Sequence, residues 1–599
     1  MSEKRITRRQ FIQTSTVAAG AALLAACGPK ATEAPVEPTT PPQPTPVLDL
    51  TATTAPVEGV PNGIVDWSFY PDTDPRHWVT YQPVELAKKY DNLKISQNMV
   101  HWGSAYKEGE TAADNVSSRF MKEFMGLEFE IKWEDATGDG TKWATAMASS
   151  DLPELMNELP GRYYTDLMDA DMLMDVRDIF EKTASPLYKQ LVGYPDYASW
   201  QFLKKGGGYY GIAGSWGPGF NVYDVLWVRQ DWLDKVGMKF PTTLDEVAAV
   251  AKAFLDAGLA QVGISTGTNL TQWGGSSAYF AALGRVPYQW KKDANNKFYY
   301  TSTDPTVKEG MALLAKWYKD GLLEADFVKR AGMDAMAALN ENCVSGKAGI
   351  TTCPSWGALY LQGMKQSQPE VQWAWGDPPA GPSGKKGCAT FTNAGQINCF
   401  LKGTDPLKVE AVINQVNFIM DIADKSRTGG AYQALLNWAG YDYIVDPDGS
   451  LKPGGFPTQY IGAGGLNATF QPEGLLALQA QRKLALLNAD PKGENMNPVE
   501  KLLCLDALGV AALQIPATVR SAQDEPKNGE RGEFIWATTS SINETVAILG
   551  PKEQEIFLNI ITNKLPVDAW DTWVADWKSQ GGDQVTEEYN TLYEKYTKG

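Results

Sequence analysis

Hydrophobic and polar positions alternate clearly near the start of the patterned chain. Lys94–Val100 alternates enough to form a strand, and Leu127–Trp133 (Leu-Glu-Phe-Glu-Ile-Lys-Trp) is a clear one. Between them Arg119–Gly126 carries helical periodicity, and Lys142–Ser150 does so again. Asp151-Leu152-Pro153-Glu154-Leu155 then reads as a turn entering a short strand. The order strand, helix, strand, helix, strand predicts an α/β body with parallel strands. Gly206-Gly207-Gly208 before Tyr209-Tyr210-Gly211-Ile212 predicts a hairpin, and Val225–Val228 a buried strand. Arg229–Val236 reads as a short helix closed by Gly237. Thr243-x-x-Glu246 is a capping box that opens the next helix. Lys308–Lys319 is a further helix, closed by Gly321, and the chain from about Leu407 is mostly helical.

The first residues carry a different pattern. Thr7-Arg8-Arg9-Gln10-Phe11-Ile12-Gln13 matches a twin-arginine export signal, and the apolar run Val17–Ala26 is too short to span a bilayer as a helix. It ends in Leu24-Ala25-Ala26-Cys27, a lipobox, in which the Cys27 thiol is the atom that takes lipid. Residues 1–27 are therefore expected to be a lipoprotein signal. Residues 28–62, rich in Pro, Thr, Ala and Glu with Pro41-Pro42-Gln43-Pro44-Thr45-Pro46, should be an extended tether that buries no core. That leaves 63–599 as the globular body, on the outer side of a membrane and held there through Cys27.

Composition changes this picture in three ways. The chain has 599 residues, enough for two lobes, with 43% hydrophobic and 21% charged residues, as in soluble proteins. Its net charge is −17, and removal of the signal, with four cations and one anion, takes it to about −20, which argues against nucleic acid as a partner. The 20 Trp and 25 Tyr are a heavy load; most should fill cores, and a minority is expected to face a ligand, because flat rings with a polar edge suit sugar faces. Of the six cysteines, none forms a Cys-x-x-Cys pair. Cys343/Cys353 and Cys388/Cys399 have spacings that permit disulfides, with Cys504 left over, although spacing does not fix connectivity.

Two motifs suggest enzymes and fail on context. Gly263-Ile264-Ser265-Thr266-Gly267 fits G-x-S-x-G, but a hydrolase elbow needs a later His, and the chain has only His77 and His101. Gly206-Gly207-Gly208-Tyr209-Tyr210-Gly211 fits G-x-G-x-x-G, but leads into a strand pattern rather than a helix.

A series of segments carries a family resemblance. Trp227-Val228-Arg229-Gln230-Asp231-Trp232-Leu233-Asp234-Lys235-Val236-Gly237 followed by Pro241-Thr242-Thr243-Leu244-Asp245-Glu246 resembles the LplA-type lipoproteins. So do Ala146-Met147-Ala148-Ser149-Ser150-Asp151-Leu152-Pro153-Glu154, Trp317–Leu322, Ser345–Ile350, Ile560–Asp571 and Tyr589–Tyr593, in the expected order. These are extracellular, family 1 solute-binding proteins of ABC sugar importers. The resemblance implies a two-lobed type II periplasmic-binding fold with a helix-rich C-terminal part. It places an N-lobe at about 90–210 plus returning segments, a C-lobe at about 220–400, and helices at about 405–599. It implies a monomer that captures a carbohydrate by hinge closure and presents it to a permease, without catalysis or cofactor. Relatives that bind alginate carry a calcium loop, which is missing at Phe254–Leu259. The nearest substitute, Asp293-Ala294-Asn295-Asn296-Lys297, has Lys where a ligand is needed, so no metal site is expected. Asp446-Pro447-Asp448-Gly449 reads as a turn.

Candidate ligand-facing residues are Trp356, after the strand near Ala348–Ile350, and Trp273 and Trp216, in Gly/Ser-rich loops. Trp438 and Tyr441 lie where family members line the cleft, and His101-Trp102 follows the first strand. Asp151 and Arg520 could bond hydroxyls. Trp227, Trp232 and Trp317 have regular spacing and read as core. A surface glycoside hydrolase or lyase, which needs only two carboxylates, and a peptide receptor are the alternative functions.

Overall fold

The computed structural model describes residues 90–101, 106–136, 140–195, 200, 203–214, 223–271, 274–330, 337–390, 396–425, 441, 443–446, 451–453, 473–496, 498–506, 508–533 and 538–597. Residues 1–89, and with them the signal, Cys27 and the tether, lie outside them.

The first sheet contains β1 (Leu93–Val100), β2 (Leu127–Asp135), β3 (Leu155–Met156), β6 (Ile212–Gly214) and β13 (Gln396–Phe400), in the order β2-β1-β3-β13-β6. β1 runs parallel to β2 and β3, as the strand–helix alternation predicts. β2 lies at the edge and buries Leu127 and Phe129 while Glu130 faces water, which accounts for its strict alternation. β1 lies inside the sheet and buries Gln97 through Val100 in succession, so its alternation is weaker. The predicted helix 119–126 differs from expectation. A helix at Val116–Phe120 starts on Asn115 and Ser118, which cap each other, and relaxes into a wider π turn at Met121–Met125.

The second sheet has β7 (Asp224–Arg229) between β10 (Ile350–Pro354) and β11 (Trp373–Gly376), both antiparallel to it. All six residues of β7 are buried, as a strand covered on both faces requires. The helix Gln230–Val236 ends at Gly237, whose φ of 67° is left-handed. Thr243 and Glu246 form the predicted box at the start of Leu244–Asp256. Trp227, Trp232 and Trp317 are buried, as expected. Smaller ribbons complete the strands: β4 (Lys204–Lys205) with β5 (Gly208–Tyr209), which is the predicted hairpin; β8 (Trp290–Lys292) with β9 (Phe298–Tyr300); β14 (Tyr443–Val445) with β15 (Leu451–Pro453); and β12 (Cys388–Thr390) with β16 (Gly529–Arg531).

The helix-rich part does not stand apart from the two lobes. The helix Pro406–Lys425 packs on the first sheet's side, against Arg177–Thr183 and Pro186–Leu191. Ser540–Ile561 packs on Pro305–Lys319 of the second lobe, where Tyr300 and Trp577 stack at 5.1 Å. No helix among the described residues is long and apolar enough to cross a membrane.

The cysteine spacings do not produce the disulfides they permit. Cys343, Cys353, Cys388, Cys399 and Cys504 are all buried, and none of the five is in a disulfide. Cys388 lies against Asp224 in the second lobe, whereas Cys399 lies against the Tyr210 carbonyl in the first sheet, so their nearness in sequence is not nearness in space.

Candidate functional site: two facing strand edges

The topology determines which edges of the sheets face each other. β10 and β11 are both antiparallel to β7, so Pro354 and Gly376 lie level with Asp224 and Leu226. Asp224 is also where the chain arrives from the first sheet, after β6 ends at Gly214. The return crossing leaves β12 at Thr390 and enters β13 at Gln396. The Asp224 N–H donates to Cys388 Sγ at 3.1 Å, so both crossings meet the second lobe at one edge. On the first sheet Gly214 pairs with Gln396, and the Leu159 N–H donates to the Ile397 carbonyl at 3.0 Å. The crossings therefore meet the first lobe at the C-terminal ends of β1, β2 and β3. Crevices at such strand ends are where open α/β sheets take ligands.

At the first edge His101 follows β1, and its N–H donates to the Asp135 carbonyl at 3.1 Å. His101 Nε2 stands 3.7 Å from Glu134 Oε2, which also accepts the Tyr106 hydroxyl at 3.0 Å. Burial, reinforced by Glu134, pushes the Tyr106 phenol well up, so it stays a donor. Tyr441 packs beside Tyr106, Met99 and Ala112 and donates to Glu110 Oε1 at 2.6 Å. Burial, with Glu110 adding, pushes its phenol up to about 12. Lys107 Nζ lies 3.9 Å from the Tyr441 ring centre. Beneath them Asn98 and Asn157 exchange three hydrogen bonds of 2.7–2.9 Å with each other's side chains and backbone, locking the ends of β1 and β3. Asn157 Oδ1 is buried and has no hydrogen-bond partner among the described residues.

At the second edge Trp356 starts the helix Gly357–Gly363, half-buried, with its ring 5.9 Å from Tyr360. A Cβ on Gly357 would lie 2.1 Å from Cys353 Sγ, so only glycine lets the helix begin this close to β10. Ser355 Oγ and Thr518 Oγ1 are 2.7 Å apart and tie in the helix Val510–Asn528. Two residues along, Arg520 Nε and Nη2 donate to the two carboxylate oxygens of Asp377 at 2.8 and 2.7 Å, and Nε stands 3.0 Å from Asp524. The Arg520 bonds, with Lys386 beside them, hold the Asp377 carboxyl down at about 2. Asp224 is buried and accepts from Ser277 Oγ at 3.2 Å, and burial raises its carboxyl to about 7.

The structure thus brings His101 and Tyr441 together around Tyr106, and sets Trp356 and Arg520 on the opposite edge. Asp151 is placed elsewhere. The helix Thr141–Ser149 starts beside Asp135 at the crossing edge and runs back, leaving Asp151 exposed at the other end of β3, paired with Lys132 at 3.2 Å. Trp102, Trp216, Trp273 and Trp438 lie outside the described residues. Tyr106, Glu134, Asn157 and Asp377 were missed. Glu134, at the C-terminal end of the alternating strand, was the one with a sequence signal. Ser265 of G-x-S-x-G is buried and donates to the Ala338 carbonyl at 3.1 Å. Asp293 Oδ1 accepts the Asn295 and Lys297 N–H groups, closing the β8–β9 turn. No group of three or more His, Cys, Asp or Glu side chains suited to a metal occurs among the described residues.

Comparison with known proteins agrees with this geometry. The model of the family described as bacterial extracellular solute-binding protein matches residues 103–409, just over half of the chain. Lipoprotein LipO of Bacillus subtilis is 22% identical over 512 residues, covering 81% of this chain and 90% of that protein. The fructooligosaccharide ABC transporter substrate-binding protein FusA of Streptococcus pneumoniae is 29% identical over 133 residues, covering 21% of this chain and 24% of that protein. An HMO-binding, ABC-transporter-associated solute-binding protein of Bifidobacterium longum infantis shares the fold at a TM-score of 0.54 and 14% identity, over 85% of this chain and 99% of that one. Two α/β lobes joined by paired crossings, together with this match, make the chain a member of the bacterial extracellular solute-binding protein family.

Proposed function

We propose that this chain is the lipid-anchored, extracytoplasmic receptor of an ABC importer, and that its solute is an oligosaccharide. The observation that carries this reading is the make-up of the two facing edges. Aromatic rings (Trp356, Tyr106, Tyr441) stand among groups that bond hydroxyls (His101, Glu134, Asn157, Arg520). Rings cover the apolar faces of pyranose or furanose units, and fixed amides and forks order their hydroxyls. Trp102, Trp216, Trp273 and Trp438 are the further aromatic candidates. FusA, similar over a quarter of its length, is named for a fructooligosaccharide, which supports a sugar. Hinge closure at the crossings would bury the ligand, and the closed form would be handed to the permease. Cys27 would hold the receptor at the membrane through the 28–62 tether, as a monomer.

Thermal denaturation with candidate solutes tests this. A ligand at 100 times its Kd stabilises the native state by about 2.7 kcal/mol. The expected result is a rise in melting temperature with one class of oligosaccharide, which is recovered intact after long incubation. Cleavage of the sugar would make the protein an enzyme, and a response to peptides alone would remove the carbohydrate reading. Trp356→Ala is expected to weaken the same sugar by at least about tenfold, the order of a central aromatic contact.

A further inference from the structure

We infer that the C-terminal helix Asp583–Thr597 is a strap behind the hinge, whose ion pair between Lys595 and Asp169 holds the lobes open until solute closes them, an inference that rests on the lobes moving about the crossings and not on the nature of the solute. The helix is rooted in the second lobe. Its Tyr589 ring lies 4.5 Å from Trp290, and Tyr593 lies 5.1 Å from Phe298 and accepts from Lys292 Nζ at 2.7 Å. Asn590 Oδ1 accepts the Phe298 N–H at 2.9 Å, which fixes the helix along β8 and β9. The same helix also packs against β4 of the first lobe. There Lys595 Nζ donates to both carboxylate oxygens of Asp169 at 3.0 Å, and Lys205 Nζ stands 3.7 Å from the same carboxylate.

The topology places this contact behind the crossings. The helix Gly161–Asp169 starts next to Leu159 at the crossing edge, and its 9 residues carry the chain about 13 Å away before Asp169 is reached. The Met172 carbonyl then accepts the Lys402 N–H at 2.8 Å, and the Met174 N–H donates to the Phe400 carbonyl at 2.9 Å, both at the end of β13 away from the crossings. Across the sheet the contact lies on the flank of β13 and β6, because β4 and β5 lead directly into β6. The crossings leave from that flank, whereas His101 and Glu134 stand at the ends of β1 and β2, on the opposite one. The pivot therefore lies between the mouth of the cleft and the strap. Closing the mouth separates the surfaces behind the pivot, so Lys595 must leave Asp169. Both side chains are half-exposed, and such a pair biases the ratio of open to closed forms by about two- to fivefold. That bias keeps the empty receptor open, and a solute that binds the closed form better overcomes it.

The test reads the width of the mouth in the solute-free protein. Nitroxide labels on Glu108→Cys in the first lobe and Leu359→Cys in the second occupy two exposed positions on the facing edges. The five other cysteines of the body are buried, and Cys27→Ser removes the remaining thiol from the full chain. Double electron–electron resonance then gives the distribution of distances across the mouth. Asp169→Asn is expected to raise the closed share about two- to fivefold over wild type. Asp169→Lys, which sets a lysine against Lys595 and Lys205, should raise it further. The swap Asp169→Lys/Lys595→Asp should return the wild-type distribution, which a merely structural role for Asp169 would not do. Salt of about 0.5 M should move wild type toward Asp169→Asn, because it screens an exposed pair. Melting temperatures establish that the variants fold. Distances that stay unchanged in folded Asp169→Lys protein, that lengthen, or that the swap fails to restore would each overturn the inference. Because no solute is present, silence from every sugar in the thermal screen would remove the carbohydrate reading and leave this result as it stands.

Discussion

At pH 8 the Glu553→Gln protein is expected to be more stable than wild type, and between pH 8 and pH 5 this advantage should shrink or reverse. Glu553 lies in the helix Ser540–Ile561 with its side chain buried, and Oε2 accepts the Tyr300 hydroxyl at 3.0 Å. Burial pushes its carboxyl up to about 8, against hydrogen bonds from Ser302 and Tyr300 that favour the charged form. The groups that face it are Tyr288, Tyr300 and Ser302, and no cation pairs with it among the described residues. The folded pKa is raised above the unfolded 4.5, so the native state binds the extra proton and stability falls as pH rises. The contribution is complete below about pH 4.5, declines through the neutral range and levels off above about pH 8. Each pKa unit corresponds to about 1.4 kcal/mol, and relaxation around the charge leaves an effect on the order of 2 kcal/mol or more. Gln keeps an acceptor for Tyr300 and has no charge to bury. Asp224→Asn should act likewise over a lower window, from about pH 4 to about pH 7. Urea unfolding at pH 5, 6.5 and 8 measures both. Wild-type and variant stabilities that run parallel across that range would show these carboxyls to be ionised or hydrated in the native state.

Much of the scaffold was legible because the signals that specify it are local. The alternation at 127–133 marks an edge strand, the Thr243/Glu246 box needs only neighbours three apart, and Gly237 closes its helix within one turn. The site was less legible because its partners are distant in sequence. Arg520 was a candidate from its place between helical segments, but nothing local reveals that Asp377, 143 positions earlier, occupies its fork. Tyr441 meets Glu110 across 331 positions. Asp151 looked promising beside a family motif, yet the preceding helix carries the chain to the far end of the sheet before Asp151 is reached. The cysteines misled in the same way: Cys388 and Cys399 are eleven positions apart, a spacing that permits a bond, but β12 and β13 lead them into separate packing, and Cys343 and Cys353 share one core cluster without a bond between them. Pro516 and Pro551 sit inside long helices, where a breaker rule would have cut them.

Trp227→Ala is expected to cost about 3–5 kcal/mol of stability, as truncation of a large core aromatic does, and to weaken solute binding without the residue touching solute. Trp227 lies at the centre of β7, fully buried, level with Thr351 of β10 and Trp375 of β11. Its indole N–H donates to the Cys353 carbonyl at 3.0 Å. Cys353 in turn presses on Gly357, and that close approach fixes the start of the helix bearing Trp356. A cavity at Trp227 would therefore loosen the support beneath Trp356 as well as remove apolar contacts. Trp227→Phe separates the two effects. It keeps most of the ring volume but leaves the Cys353 carbonyl without its donor, so it should cost about 1–3 kcal/mol, near the penalty for an unmet buried polar group. Chemical denaturation of the three proteins gives the stability order, and calorimetry with the identified sugar gives the binding order. Wild type, Phe and Ala should rank the same way in both. Unchanged affinity in a folded Ala variant would mean that Trp356 is held by the Ser355–Thr518 side alone, and that the core of the second lobe does not position the ligand edge.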